Sequence, residues 1–115
     1  ILYENSISKS GLEKNQLDIY HYASLENGIL RIVFRNNCLP FESIVEKNKE
    51  IQEYIDSYGV EEKMTQRLHS EGGTGFAKIW KVITKDLGFK HDMQFGFIEG
   101  DCFNVDISIC VGEML

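Results

Sequence analysis

Apolar and polar positions alternate with a period of two over residues 17–23, where Leu17, Ile19, His21 and Ala23 share one face and Asp18, Tyr20 and Tyr22 the other. That period predicts a strand. Residues 25–28, Leu-Glu-Asn-Gly, follow as a turn, because Asn-Gly tolerates the positive φ angles of a tight hairpin. Residues 29–35 then give a second strand with Leu30, Ile32 and Phe34 on one face. The period changes after Pro40. Phe41, Ile44, Val45, Ile51, Tyr54, Ile55 and Tyr58 make an apolar stripe at helical spacing, which predicts a helix over 41–58 that Pro40 opens and Gly59 ends. Residues 60–70 are polar with scattered Met64 and Leu68, compatible with a short helix or a loop.

Residues 74–87 form a second amphipathic helix, with Phe76, Ile79, Trp80, Ile83 and Leu87 inward and Gly88 as its stop. Residues 93–98, a Glu-Gly-Asp turn at 99–101 and residues 102–111 predict another hairpin. Residues 1–10 have the spacing of a helix tail ending at Gly11. Two hairpins with helices before and between them are most economically packed as one antiparallel sheet covered on one face by helices. The expected fold class is therefore α+β, a two-layer α/β sandwich.

At 115 residues the chain is one domain. It begins at Ile1, inside the expected helix, so it reads as the C-terminal part of a longer protein. A net charge of −6 and a pI near 5.0 argue against nucleic-acid binding, which needs clustered Lys and Arg. Cys38, Cys102 and Cys110 are odd in number and lack metal-ligand spacing, which favours a reducing, cytoplasmic setting over a disulfide framework or a zinc site. No apolar run approaches the roughly 20 residues of a membrane span, and no membrane contact is expected of this segment.

The residues that bear on chemistry are few. Glu-Gly-Gly-Thr-Gly-Phe-Ala-Lys at 71–78 leads three glycines and a threonine into a helix. A helix start offers unpaired N–H groups and a positive dipole end, and glycine lets a phosphate come close. Such a junction also occurs as a plain turn. Asn5 by itself reads as a solvated or capping residue and Lys9 as an ordinary helix-end lysine. His21 reads as a strand residue, His91 as a loop residue and His69 as an exposed neighbour of the glycines. No Ser/His/Asp, Cys/His or metal-ligand cluster is present to suggest an independent small-molecule enzyme.

Two motifs in this order resemble those of the GHKL ATPase family, which includes histidine kinase catalytic domains. Leu2-Tyr3-Glu4-Asn5-Ser6-Ile7-Ser8-Lys9-Ser10 looks like the family's asparagine helix, and Gly72-Gly73-Thr74-Gly75-Phe76-Ala77 is similar to its later glycine box. The resemblance implies a Bergerat-type site for ATP and Mg²⁺. Asn5 would help hold the metal, Lys9 would lie near the phosphates, and Gly72, Gly73, Thr74 and Gly75 would close over them. Mg²⁺ accepts few protein oxygens and shares the rest with phosphate and water, which suits one asparagine.

The pattern departs from the family at two places. Where an Asp-x-Gly-x-Gly box is expected, the chain has Asn36-Asn37-Cys38-Leu39-Pro40. Both glycines are absent, and Asn36 stands in place of the aspartate that would read adenine, with a neutral and weaker acceptor. Asn36 and Asn37 also read as a turn pair at a strand end. The glutamate that would activate water falls at Ile1, and Glu4 lies about 100° around the helix from Asn5. Hydrolysis is thus expected to be slow or absent, with no catalytic residue assigned. The leading expectation is a divergent, histidine-kinase-like domain that binds ATP with Mg²⁺ as the catalytic or switching end of a signalling protein, acting on its upstream domains. The alternative is a degenerate fold used as an interaction or homodimerisation module through the 41–58 helix.

Overall fold

In the computed structural model the described residues are 10–70 and 75–112. Four strands, β1 (Ile19–Glu26), β2 (Ile29–Asn37), β3 (Lys90–Ile98) and β4 (Cys102–Cys110), form one sheet in the order β1-β2-β4-β3. Every neighbouring pair is antiparallel. The helices are α1 (Ile44–Lys49), α2 (Gln52–Ser57), α3 (Glu61–Leu68) and α4 (Gly75–Lys81), the last continuing into a π-helical turn, Val82–Asp86. A single 3₁₀ turn, Lys14–Gln16, precedes β1.

Strand register determines which side chains meet the helices. Phe34, Val105 and Phe95 are cross-strand neighbours, as are Ile32, Ile107 and Met93. Together with Ile83 and Ile109 these residues make the main core, against which Ile51, Tyr54, Ile55, Tyr58, Phe76 and Ile79 pack. The other face carries polar and charged groups, among them Arg31, whose guanidinium makes a two-point contact with Asp106 at 3.1 and 2.7 Å. A second, smaller cluster joins Met64 of α3 to Ala77 and Trp80 of α4.

The expected class and the single antiparallel sheet are present, and several boundaries differ. β1 runs on through Leu25 and Glu26, leaving only Asn27 and Gly28 as the turn, both with positive φ. β2 extends through Asn36 and Asn37, so these are strand residues and not a turn pair. β3 begins at Lys90, which places His91 in a strand. Residues 60–70 contain a helix, α3.

The predicted 41–58 helix is two helices. Pro40 does not open it: Ser43 does, its hydroxyl accepting from Glu46 N–H at 3.3 Å as an N-cap. At its far end Glu50 and Ile51 donate to Lys47 and Asn48 carbonyls, three residues back, and the α pattern stops. The cause lies at Asn48. An inward apolar residue would continue the stripe there, but Asn48 instead reaches the edge of β3, where its Oδ1 accepts from Phe97 N–H at 2.7 Å and its Nδ2 donates to Phe97 C=O at 3.1 Å. The 74–87 helix also changes form. Leu87 N–H bonds Val82 C=O, five residues back, and the wider turn leaves Leu87 57% exposed, not inward as its spacing predicts.

Candidate functional site

The expected site residues fall at one end of the sheet where they are described. Asn36, near the end of β2, pairs in register with Phe103 of β4, which pairs with Phe97 of β3. Gly75 heads α4, and the next residue, Phe76, stacks on Phe95 with centroids 4.3 Å apart and lies 6.4 Å from Phe103. The fold thus brings Asn36 and Gly75 to the same end, with phenylalanine rings between them. Phe97 meets Phe103 edge-on at 5.1 Å, and Phe41 meets Phe97 at 5.6 Å, extending the aromatic cluster to the chain that leaves β2. Asn5, Lys9, Gly72, Gly73 and Thr74 lie outside the described residues.

Asn36 is 4% exposed, and its Nδ2 donates to the Asn37 carbonyl at 2.8 Å. A base could contact this carboxamide only after its surroundings rearranged. Asn37 points to the opposite face. Its Oδ1 accepts from Asp18 N–H at 2.7 Å and its Nδ2 donates to Gln16 C=O at 2.9 Å, holding the lead-in to β1.

The segment that replaces the glycine box is held on both sides. Cys38 N–H donates to Asp101 C=O at 2.9 Å, and Phe41 N–H donates to the Asp101 carboxylate at 3.2 Å. Asp101 can serve both because its φ of 55° turns it back at the β3–β4 hairpin. On the other side Leu39 N–H donates to Ser10 C=O at 3.1 Å. Gly11, with φ of 77°, lies against Leu39, and a Cβ there would sit 2.6 Å from Leu39 Cδ1. Cys38 is buried, and that burial pushes its thiol pKa up, so it is not a thiolate poised for reaction. Asp101 and Ser10 were not singled out in sequence; a hairpin-turn aspartate and a serine ahead of Gly11 gave no signal of what they would hold.

At the far end of the sheet the sequence missed a second polar group. His91 Nε2 lies 2.6 Å from the Tyr58 hydroxyl, and the rings meet edge-on. Desolvation pushes the imidazole pKa down and the phenol pKa up, so both are neutral near pH 7. Among the described residues no group of three or more His, Cys, Asp or Glu could hold a metal ion.

A four-stranded antiparallel sheet with its helices on one face, and a glycine-headed helix converging on the end of β2, define a histidine-kinase-type GHKL catalytic-domain fold. The solved catalytic domain of histidine kinase ThkA, in a nucleotide-free form, superposes with a TM-score of 0.59 over 96% of this chain at 16% identity. The chain spans 60% of that domain's length. The family described as "y4jQ C-terminal putative histidine kinase domain" matches residues 1–110, and the chain belongs to that family. Among curated proteins none matches the sequence.

Proposed function

We propose that this chain is a divergent nucleotide-binding domain, binding ATP with Mg²⁺ as the catalytic or switching end of a longer, cytoplasmic signalling protein. The observation that carries this reading is the convergence of Gly75 and Asn36 on one end of a histidine-kinase-type sheet. In the proposal Gly72, Gly73, Thr74 and Gly75 hold the phosphates through backbone N–H groups, Asn5 contributes an oxygen to the metal, and Lys9 adds charge nearby. Bound nucleotide supplies the phosphoryl group and the metal neutralises its charge. The base end fits less well, since Asn36 is buried and no glycine relieves the 36–40 segment. Binding is therefore expected to rest on the triphosphate more than on adenine.

Calorimetric titration of ATP and a non-hydrolysable analogue, with and without Mg²⁺, tests this on the 115-residue chain and on its Asn5→Ala and Gly73→Val/Gly75→Val variants. The expected result is metal-dependent binding that both sets of substitutions abolish. Unchanged affinity in the glycine variant would refute the phosphate assignment.

The same base end favours a second reading, a domain that kept the fold and lost the ligand. Asn36 is covered and residues 38–41 are tied to Asp101 and Ser10. The proposed partner surface on residues 41–58 draws less support, because α1 and α2 turn most of the apolar stripe inward and leave Val45 as its exposed member, at 68%. No binding of nucleotide, with a dimer or complex broken by substitution at Val45, would favour this second reading.

A further inference from the structure

Strand β3 lies at one edge of the sheet, and one contact tells which of its backbone groups face outward. Phe97 bonds Asn48 through its N–H at 2.7 Å and its C=O at 3.1 Å, so both groups point away from β4. Backbone direction alternates along a strand, and residues two apart share it. Phe95, Met93 and His91 therefore present N–H and C=O outward as well. Asn48 closes this edge at Phe97, and no other described residue bonds the outward groups of His91 or Met93. A cavity of about 430 Å³ lies against Lys90, His91, Asp92 and Met93, so this half of the edge has open space beside it. An edge left uncovered is a template for another strand.

The side chains along this half select which strand fits. Phe89-Lys90-His91-Asp92-Met93 is its own complement when read antiparallel. With a two-fold axis at His91, Lys90 of each copy stands opposite Asp92 of the other, and Phe89 of each stands opposite Met93. Because the outward groups belong to His91 and Met93, Lys90 and Asp92 fall in the non-hydrogen-bonded pairs of the new ladder. Those are the pairs in which opposed side chains come closest. Both residues are exposed and neither is in an ion pair among the described residues, so both charges are available. Moving the axis one residue either way would set Lys90 opposite Lys90 or Asp92 opposite Asp92, and like charges directly opposed are destabilising. Phe89 N–H is already bonded to Ile83 C=O at 2.9 Å. The ladder is left with reciprocal bonds between the His91 residues and one from each Met93 N–H to the facing Phe89 C=O.

We propose that β3 pairs with β3 of a second copy of this chain, antiparallel about His91, joining the two sheets into one continuous sheet. Charge complementarity between Lys90 and Asp92 sets both the partner and the register. The ladder is short, which places the interface in the small, weakly associating class below about 1,200 Å². This surface is independent of the nucleotide reading and uses none of its residues, nor Val45.

Sedimentation equilibrium of the 115-residue chain at low salt, at concentrations up to about 1 mM, tests this, and a monomer–dimer equilibrium is expected within that range. Lys90→Asp and Asp92→Lys should each weaken the dimer at least about tenfold, because two opposed pairs turn from attractive to repulsive. General charge repulsion would move the two variants in opposite directions, since one raises and the other lowers the magnitude of the net charge of −6. The double variant Lys90→Asp/Asp92→Lys should regain association within about threefold of the unmodified chain, which separates the loss from a failure to fold. Mixing the two single variants should give a heterodimer tighter than either homodimer, because each chain supplies the charge the other lacks. Amide hydrogen exchange of the unmodified chain needs no variant, and protection of His91 and Met93 should rise with concentration. A monomer at about 1 mM, a dimer indifferent to both single reversals, no heterodimer in the mixture, or protection gained only at other strands would each overturn the proposal.

Discussion

Asn48 ties the helical layer to the edge of the sheet, and its replacement by alanine should show it. The carboxamide lies against the backbone of edge strand β3 and satisfies both the N–H and the C=O of Phe97, at 2.7 and 3.1 Å, as a neighbouring strand would. Losing two partly buried hydrogen bonds, each worth about 1 kcal/mol net, and leaving two backbone groups to be rehydrated next to packed rings, should cost about 2–3 kcal/mol. Gly96 makes the approach feasible. A Cβ there would stand 2.9 Å from Asn48 Oδ1, while the backbone at Gly96 is not in the positive-φ region, so alanine meets no objection but Asn48 itself. Gly96→Ala alone should therefore expel the carboxamide and cost about 1.5–2.5 kcal/mol. In an Asn48→Ala background it should be neutral, or stabilising by about 0.5 kcal/mol, because glycine weakens a strand interior. The coupling between the two sites is then about 2 kcal/mol. Urea unfolding followed by Trp80 fluorescence measures it. With a slope of about 1–3 kcal/mol per molar urea, the midpoint should fall by roughly 1–2 M for Asn48→Ala. Additive effects in the double variant, or a midpoint lowered by less than about 0.3 M, would refute the reasoning.

Three further outcomes are expected. Met64 is 1% exposed at the joint of α3 and α4, so Met64→Ala should cost about 2–4 kcal/mol by urea unfolding; a cost under about 1 kcal/mol would mean that α3 is not packed there. Gly11→Ala places a side chain at φ of 77° and against Leu39, and should cost about 1–3 kcal/mol by the same assay, whereas Gly59→Ala, with nothing within 4 Å of the added carbon, isolates the backbone component. Stability should also depend on pH through His91. Burial makes its proton harder to hold in the folded chain than in the unfolded one, so the stabilisation is full above the ordinary value of 6.5 and declines as pH falls through 6.5 toward the lower folded value. Urea midpoints measured across that interval should lose this slope in His91→Phe, and an unchanged slope would assign it to other groups.

The sheet was legible because its signal is local. Leu30, Ile32 and Phe34 share a face in the sequence and in the fold, and so do Ile19, His21 and Ala23. Strand ends were less legible where Asn36 and Lys90 owe their strand state to pairing partners far along the chain, since no window around them contains Phe103 or Cys110. The helices show the same limit from the other side. Five consecutive polar residues, Glu46 to Glu50, interrupt the stripe between Val45 and Ile51, and that gap was the trace of the helix break. Reading it required the distant Phe97 backbone to which Asn48 bonds. His91 resembled a loop residue for the same reason: the group that gives it a role, the Tyr58 hydroxyl, is 33 positions away.

The absent glycines at 36–40 have a physical counterpart in the fold. A glycine-rich connection after β2 would leave backbone free to meet a ligand, whereas here Cys38 is buried, Leu39 packs on Gly11, and Cys38 and Phe41 both bond Asp101. Those backbone N–H groups are already satisfied within the protein, so a ligand would have to outcompete intramolecular bonds to use them. The glycines ahead of α4 were kept, and the helix they head delivers Phe76 on to Phe95 and Phe103. The two halves of the proposed site have therefore diverged differently. Under the proposed function, the phosphate half keeps in sequence the glycines and threonine assigned to it, and the base half has internal packing where ligand-facing backbone would be needed. Under the proposed function, this asymmetry predicts that ATP and GTP bind with affinities within about threefold of each other, since little of the binding would come from the base. A preference for ATP above about a hundredfold would show that Asn36 or its surroundings still read adenine, and that the packing at this end opens when nucleotide arrives.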